Sequence, residues 1–374
     1  MRKHIGKYCV ALLLGIAVLF LSSCGETQKT TETISTVVSS IEKYGHTVLD
    51  ITAADFADAG YAYGDVVCVR LGSHTLEMPY FDGYYSNPGE LMLRGRDPEK
   101  PIALCINYDN FAEVYGTSVG DPVEITLVKE AAMLMVQEIC KLQYTCDRAD
   151  YADDAVFANF RAVTTGTIGE GKLFRSASPV NNAYGRAAYA NDLAESAGIV
   201  SALNLSDSVE TIEECMAADD FDSAYYRSLY AAGKVLALDQ DADFRSPEYA
   251  AGIADGFIFL SENEPPFLLH CKEGKDRTGF ACMLLEALMG ASLDEIIDDY
   301  MVSFYNYFGI TEEKEPERYR TVLEINLPSM LYHVFGVTDM ETLAQVDLEA
   351  GVIEYLQTAG MTREEIAVLQ EKLR

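Results

Sequence analysis

Short apolar runs separated by turn residues fill the chain between residues 45 and 128. The runs are rich in β-branched residues, and Gly83, the Asn-Pro-Gly triplet at 87–89 and the Gly-Asp-Pro triplet at 120–122 supply turns. This pattern predicts strands at 65–71, 75–81, 102–108 and 122–128. Several short strands joined by turns are typical of a sheet that closes or folds on itself, so we expect a small all-β, barrel-like domain at 45–128.

The pattern changes to a helical period after residue 128. The segment 128–144 predicts a helix, part of a connecting helix at 129–149, because its apolar residues recur on one side: Ala132, Met135, Val136 and Ile139. Further along, strand-like and helix-like patterns alternate. Capping boxes at 292–295, 338–341 and 362–365 each predict the start of a helix. We therefore expect an α/β domain at 150–374, with a central sheet flanked by helices.

The candidate chemistry lies in one loop of this second domain, at residues 270–279. An apolar run at 266–270 predicts a buried strand, and the almost wholly apolar run 280–289 predicts a buried helix. Cys271 and Arg277 thus lie near a helix N-terminus, where unpaired N–H groups and the helix dipole favour an anion. A thiolate is stabilised there and is nucleophilic, and a guanidinium fork fits two phosphate oxygens. The loop predicts hydrolysis of phosphate esters through a cysteinyl-phosphate intermediate; the alternative is an inert cysteine in an α/β turn.

The loop, which reads His-Cys-Lys-Glu-Gly-Lys-Asp-Arg-Thr-Gly, resembles the active-site loop of the bacterial cysteine-dependent tyrosine and lipid phosphatases. Their loop reads HCxxGKDRTG. Four further segments are similar to that family: 159–161, 171–177, 198–206 and 352–366. The resemblance covers roughly residues 150–374. It implies the cysteine-phosphatase fold, in which helices flank a central sheet.

Side-chain chemistry and the resemblance together assign roles within the loop. Cys271 is expected to be the nucleophile, Arg277 to hold the phosphoryl oxygens, and Gly274 to let the backbone turn close to the anion. Thr278 is expected to donate its hydroxyl to the thiolate or to cap the helix. His270 points away from the phosphate by strand alternation, so we expect it to make a structural hydrogen bond.

The general acid that protonates the leaving group has two candidate positions. Relatives with a Lys-Asp-Arg-Thr loop imply the aspartate of that loop, which is Asp276 here. The wider superfamily implies an acid on a mobile loop a few dozen residues before the cysteine, where this chain carries Asp239, Asp241 and Asp243. We expect Asp276 to be the acid and keep the upstream aspartates as the alternative.

The substrate depends on three charged side chains in the loop. Lys272 and Lys275 resemble lysines that meet additional phosphates in inositol-lipid phosphatases, whereas Glu273 adds a negative charge that opposes such a ligand. We expect a protein-tyrosine or dual-specificity phosphatase, with a phosphoinositide or inositol phosphate phosphatase as the alternative. A second alternative is an inactive surface lipoprotein that binds phosphorylated ligands without turnover.

The first 44 residues predict export and attachment to a membrane. A positively charged start, an apolar run at 10–21 and the tetrapeptide Leu-Ser-Ser-Cys at 21–24 resemble a bacterial lipoprotein signal peptide at 1–23. Cys24 would then carry lipid, and the segment 24–44, rich in Thr and Ser, is expected to be a flexible tether. The alternative is an ordinary signal peptide or an uncleaved anchor. The expected location is the extracytoplasmic face of the bacterial cell membrane.

Composition limits the partners and cofactors. The formal net charge of −31 argues against nonspecific binding to nucleic acid or to an anionic membrane surface, so a local basic site must attract a phosphorylated protein or phosphoinositide. The nine cysteines include no Cys-x-x-Cys pair and no metal-ligand spacing. We therefore expect no disulfide framework, no metal and no cofactor.

Overall fold

Two sheets organise the computed structural model, which describes residues 31–374. The predicted signal peptide at 1–23, the lipidation site Cys24 and the beginning of the predicted tether lie outside the described residues. Seven strands form the first sheet, and they are β1 Ile34–Ile41, β2 Thr47–Thr52, β3 Val66–Leu71, β4 His74–Phe81, β5 Leu91–Arg94, β6 Pro101–Ile106 and β7 Pro122–Lys129.

This first sheet is a closed barrel with the strand order β1-β2-β6-β5-β4-β3-β7. Every neighbouring pair is antiparallel except β4 and β5, which are parallel. Alternate residues of β3 are buried in the barrel core, as the strand period of two requires: Val67, Val69 and Leu71. The barrel-like domain predicted from the apolar runs is confirmed.

Strand β1 lies within the segment 24–44 that was expected to be a flexible tether. Residues 34–41 pair with β2 on one side and with β7 on the other, where Ile34 lies opposite Ile125. Ile34 and Val38 are buried, while most of the serine and threonine residues between and after them face outward. The composition that suggested a tether is that of a strand with one buried face, and the barrel begins at residue 34 and not at residue 45.

The connecting helix is also shorter than expected. Strand β7 continues to Lys129, which lies opposite Val66 of β3, so helix α3 spans only Leu134–Cys140. Ala131 has a φ of 51°, a left-handed conformation that interrupts a helix. After α3, residues 142–147 form no regular secondary structure.

A five-stranded sheet with the order β11-β10-β12-β9-β8 is the centre of the second domain. Strand β8 is antiparallel to β9, and the remaining neighbours are parallel. The strands are β8 Arg161–Val163, β9 Leu173–Ser176, β10 Ser201–Asn204, β11 Val235–Ala237 and β12 Phe267–His270.

Two short helices accompany the barrel, α1 Ala53–Asp58 and α2 Phe111–Tyr115. The helices of the second domain are α4 Asp154–Phe157, α5 Ala187–Ser196, α6 Val209–Ala217, α7 Ala224–Ala231, α8 Pro247–Glu262, α9 Asp276–Leu288, α10 Leu293–Phe308, α11 Pro316–Asn326, α12 His333–Phe335, α13 Met340–Leu343, α14 Leu348–Ala359 and α15 Arg363–Leu373. A 3₁₀ turn at Arg148–Asp150 and a π-helical turn at Pro328–Tyr332 complete the set. Within residues 31–374, no helix is both long and apolar enough to cross a membrane.

Helices cover both faces of the second sheet, which explains the continuous apolar runs of its central strands. On one face Leu203 and Leu269 belong to a core with Phe280 of α9. On the other face Ala202 and Leu268 pack with residues of α5. Helix α9 is buried on every side from Thr278 to Leu288, as its sequence predicted. The mixed α/β class with a helix-flanked sheet is thus confirmed.

Two of the three predicted capping boxes form. Ser292 caps α10 and Thr362 caps α15, each with a reciprocal bond to the glutamate three residues later. The box expected at Thr338 is wrong, because Asp339 caps α13 and accepts a hydrogen bond from the Thr342 N–H at 2.8 Å.

Candidate active site

The loop that carries the candidate nucleophile joins the central strand β12 to the buried helix α9. Cys271 follows the last residue of β12 and is 3% exposed. Arg277 and Thr278 lie in the first turn of α9, which begins at Asp276. The strand, loop and helix predicted around Cys271 are therefore present in that order.

Polar side chains from two other segments bind the loop carbonyls from behind. Asn159 donates to the carbonyls of Glu273 at 3.2 Å and of Gly274 at 3.0 Å. Arg175 donates to the carbonyls of Gly274 at 3.0 Å and of Lys275 at 3.3 Å. In a planar trans peptide the N–H points opposite to the C=O, so these bonds turn the amides of the loop away from Asn159 and Arg175. The loop can then present its N–H groups to an anion.

Arg175 is itself fixed by a buried ion cluster. Asp299 pairs with Arg175 at 2.5 Å and with Arg161 at 2.8 Å. Burial alone would raise the pKa of Asp299, but the two guanidinium groups outweigh it and lower that pKa to about 2. Burial, with the Asp299 charge added, raises the pKa of Glu286 well above its usual range.

Gly274 is required by the packing of the loop against β9. Its φ is 67°, and a Cβ built there would lie 2.3 Å from the carbonyl carbon and oxygen of Ser176. Any other residue would therefore collide with the backbone of β9. The close approach predicted for Gly274 occurs here against a neighbouring strand.

Arg277 is held by a residue that the sequence did not indicate. Its Nη1 donates to the backbone carbonyl of Gln240 at 2.8 Å. Gln240 is 8% exposed and fixed in turn, since its N–H donates to the Leu205 carbonyl and its side chain to the Tyr249 carbonyl at 2.8 Å. A backbone carbonyl has no sequence signature, so no signal could have identified this contact.

The same contact brings the backbone of the segment with the upstream candidate acids to Arg277. Asp239 and Asp241 are the chain neighbours of Gln240, and the Asp241 carboxylate accepts from the Asp243 N–H at 2.8 Å. Asp276 directly precedes Arg277, and both of its carboxylate oxygens accept from Lys275 Nζ at 2.9 Å.

Two buried polar side chains on either side of the loop that carries Cys271 lack a partner among the described residues. Thr278 Oγ1 makes no hydrogen bond, so neither the bond to the thiolate nor the cap is formed, and Lys275 occupies the N-cap position of α9. Both ring nitrogens of His270 are also unpaired, so the structural hydrogen bond expected of His270 is wrong. Burial, opposed by the nearby Asp207, lowers the pKa of His270 to about 4 and leaves the ring neutral.

Comparison with known proteins identifies the family of this second domain. A family model described as "Tyrosine phosphatase family" matches residues 157–374, more than half of the chain. The chain belongs to the tyrosine phosphatase family. A curated protein of Cupriavidus necator, printed as "Putative tyrosine-protein phosphatase", is 44% identical over 48 residues, which are 13% of this chain and 18% of that protein. The chain thus matches less than a fifth of that relative's length.

One solved structure shares a smaller likeness. It is the crystal structure of an uncharacterized conserved protein from Thermotoga maritima, at 21% identity over 25% of this chain and 35% of that one. Its TM-score is 0.23, below what a common overall fold requires.

In this tyrosine phosphatase family member, two of the three loop charges are engaged internally. Lys275 pairs with Asp276 and lies 4.8 Å from the centre of the Phe304 ring. Burial lowers the pKa of Lys275, but the Asp276 and Glu273 carboxylates outweigh it, and the pKa is raised overall. Glu273 accepts a hydrogen bond from the Tyr144 hydroxyl. Lys272 is exposed and has no ion pair within residues 31–374.

Tyr144 belongs to an aromatic group behind the phosphatase loop. Its ring stacks on Tyr307 with centroids 4.7 Å apart, and the Tyr307 hydroxyl donates to the Glu273 carbonyl at 2.5 Å. Arg186 lies over both rings, at 4.8 and 4.9 Å from their centres. The irregular segment after α3 is thereby attached to the loop that carries Cys271.

Across 31–374 no group of three or more His, Cys, Asp or Glu side chains could hold a metal ion. The seven cysteines in that range are all free.

Proposed function

We propose that this protein hydrolyses phosphate monoesters through a cysteinyl-phosphate intermediate, with phosphotyrosine in proteins as its main substrate. The observation that carries the proposal is the loop between β12 and α9. Its carbonyls are bound by Asn159 and Arg175, so its amides, Cys271 and Arg277 can surround one phosphate group.

The reaction follows from these positions in two steps. The Cys271 thiolate attacks phosphorus, and the S–P bond forms as the ester P–O bond breaks. Asp276, which for this step carries a proton in place of its ion pair with Lys275, gives that proton to the leaving oxygen. A water molecule then attacks phosphorus and breaks the S–P bond, while Asp276 takes a proton from the water and phosphate leaves. Arg277 and the loop amides stabilise the charge on the phosphoryl oxygens in both steps.

The Thr278 hydroxyl has no partner among the described residues, so it is available to donate to the Cys271 thiolate. A buried hydroxyl without a partner is costly, and a thiol sulfur is a weak acceptor that becomes a strong one when it is charged. We expect Thr278→Ala to slow hydrolysis of the cysteinyl-phosphate more than its formation. Rapid-mixing kinetics with p-nitrophenyl phosphate should then show a larger initial burst of p-nitrophenol.

The acid is tested with two variants and two leaving groups. An alkyl leaving group needs a proton more than p-nitrophenolate does, so loss of the true acid slows alkyl phosphates far more. We expect this difference in Asp276→Asn and its absence in Asp239→Asn. The reverse result assigns the acid to the upstream loop, which also includes Asp241 and Asp243.

The charge arrangement favours phosphotyrosine over the phosphoinositide alternative. Lys275 is paired with Asp276, so of the two loop lysines Lys272 remains for an additional phosphate. The second alternative is a protein that binds phosphorylated ligands without turnover. Such a protein does not need a nucleophilic cysteine in the same loop as an arginine that can hold phosphate.

The central test is hydrolysis of p-nitrophenyl phosphate by the soluble body of the protein. Cys271→Ser should lower kcat about 1,000-fold or more, whereas Cys68→Ser, which alters a barrel cysteine, should not. Equal rates for Cys271→Ser and the native enzyme would reject the catalytic proposal.

We also propose that lipid on Cys24 anchors the enzyme to the extracytoplasmic face of the cell membrane. The leader at 1–23 supports this location. Cells fed a fatty-acid analogue should label the native protein but not Cys24→Ala, and the variant should leave the membrane fraction. Equal labelling of both proteins would contradict the anchor.

A further inference from the structure

An aromatic cleft opens on the barrel at the turn that follows β6. It has a volume of about 530 Å³, and its lining includes Tyr44, His46, Tyr84, Asn107, Tyr108 and Asp109. Tyr44 and Tyr108 are each 70% exposed, so most of their aromatic surface faces solvent. We call this feature the Tyr108 cleft. Exposed aromatic surface of this size beside a concavity is typical of a binding site.

The Tyr108 cleft continues onto the phosphatase domain. A second cavity of about 200 Å³ shares Tyr84, Asn107 and Tyr108 with the first and is also lined by Asp243 and Arg245. Arg245 crosses the junction and donates to the Pro88 carbonyl of the barrel at 3.1 Å. Barrel and phosphatase domain therefore form one continuous surface here.

That surface is connected through the chain to the residue that holds Arg277. Ala242 and Asp243 line the second cavity, and Gln240, two residues before Ala242, accepts the hydrogen bond from Arg277. Burial raises the pKa of Tyr108, and the charges of Asp243 and Asp241 raise it further. Asp243, which shares a cavity with Tyr108, therefore lies only three residues after Gln240, which holds Arg277.

Two residues near this surface, one in the barrel and one in the phosphatase domain, have strained backbone conformations. Tyr108 has a φ of 60° and Asp239 a φ of 48°, values that residues with a side chain rarely adopt. The Tyr108 strain arises in a tight turn, since Asp109 bonds back to Ile106 and pushes the tyrosine outward. An exposed tyrosine in a strained turn makes no packing contribution that offsets the strain, and such positions cluster at functional sites.

The charges around the Tyr108 cleft favour a cation. Asp109 lines the Tyr108 cleft, and Asp243 lines the adjoining cavity together with Arg245, whose guanidinium already donates to the Pro88 carbonyl. Arg94 is already engaged, because it lies over the Tyr84 ring and pairs with Glu42. Aromatic faces combined with carboxylates attract ammonium and guanidinium groups.

We propose that the Tyr108 cleft binds the polypeptide next to the phosphorylated residue and selects a lysine or arginine in that segment. The inference rests on the proposed phosphatase function and narrows its substrate to a phosphopeptide with a basic flank. A phosphoinositide headgroup carries further negative charge and no cation, so the Asp109 and Asp243 carboxylates would repel it.

The experiment compares three peptides with a central phosphotyrosine flanked by Lys, Ala or Glu. We expect kcat/KM to fall in that order, by about tenfold between the Lys and Glu peptides. The overall negative charge also attracts basic peptides, so the native enzyme alone cannot prove the cleft. Tyr108→Ala leaves the net charge unchanged, and we expect it to remove most of the preference for the Lys peptide. The peptide rates of this variant are first divided by its own rate on p-nitrophenyl phosphate.

Two further variants separate the cleft from general effects. Tyr305→Ala removes an exposed tyrosine of α10 that lines neither cavity, and it should keep the native preference. Asp109→Asn should reduce the preference without removing the ring. Binding of the same peptides by Cys271→Ser, measured by calorimetry, should follow the same order and lose it when Tyr108→Ala is added.

The outcomes distinguish this inference from the proposed function. No hydrolysis of p-nitrophenyl phosphate rejects the phosphatase function, and the calorimetric order still tests the cleft. Normal hydrolysis with equal peptide rates, or a preference that survives Tyr108→Ala, rejects the cleft alone. Faster hydrolysis of a phosphoinositide in vesicles than of every peptide, lowered by Tyr108→Ala, would also overturn it.

Discussion

At the scale of single residues, the position of the loop against β9 depends on the absence of a side chain at Gly274. Gly274→Ala should lower kcat/KM about 100-fold, because displacement of the loop by even 1 Å disturbs the geometry of reaction. The matched control is Gly290→Ala, since Gly290 has a similar φ of 75° but no atom within 4 Å of its Cβ position. Steady-state kinetics and thermal unfolding of both variants separate the collision from the backbone strain. Equal losses of activity would reject the packing argument.

His270 makes stability depend on pH. Its pKa is about 4 in the folded protein, and an unfolded histidine titrates near 6.5. The unfolded chain therefore binds the extra proton between these values, and stability falls as pH decreases from about 6.5 to about 4, by about 3 kcal/mol in total. Urea unfolding across this pH range should show the decline, and His270→Phe should flatten it. An unchanged slope in His270→Phe would assign the effect to other groups.

At the scale of elements, the segment after α3 supports the catalytic loop through Tyr144 and Glu273. A double-mutant cycle with Tyr144→Phe and Glu273→Gln should give a coupling free energy of about 1 kcal/mol in urea unfolding, because the bond is partly buried.

The control for this cycle is an exposed pair of the same type. The Tyr230 hydroxyl donates to Glu213 at 3.2 Å on the surface, and Tyr230→Phe with Glu213→Gln should couple only weakly. Equal coupling in both cycles would show that Tyr144 does not anchor the loop.

The elements around Cys271 were predictable because burial on both faces makes strand β12 and helix α9 continuously apolar. The contacts that shape the loop were not, because they join distant parts of the chain. Arg175 is 99 residues from the carbonyl that it binds, and Gln240 contributes only its backbone. Tyr144 lies in a segment predicted to be helical, where no pattern indicated a contact with Glu273.

At the scale of the whole molecule, β1 determines where the folded body begins. A protein that starts at residue 44 lacks β1 and leaves β2 and β7 as open edges, so the barrel should lose its closure. A protein that starts at residue 31 keeps the strand. Hydrogen exchange should show lost protection of β2 and β7 amides in the shorter protein alone, and equal protection in both would contradict the closure.

Strand β1 of the barrel is harder to predict than the later strands. Ile34 and Val38 are its buried side chains, and the serines at 35, 39 and 40 weaken the strand signal of its β-branched residues. Closure of the barrel is a long-range property, since Ile34 pairs with Ile125. A local pattern could not reveal it.

The hydrogen bond between Arg277 and the Gln240 carbonyl has a further consequence for affinity. A free arginine side chain loses about 1.5–2 kcal/mol of conformational entropy when it is immobilised. Because the Gln240 carbonyl already restricts this side chain, most of that loss accompanies folding. On the proposed function it would not oppose phosphate binding, so product phosphate should be a measurable competitive inhibitor.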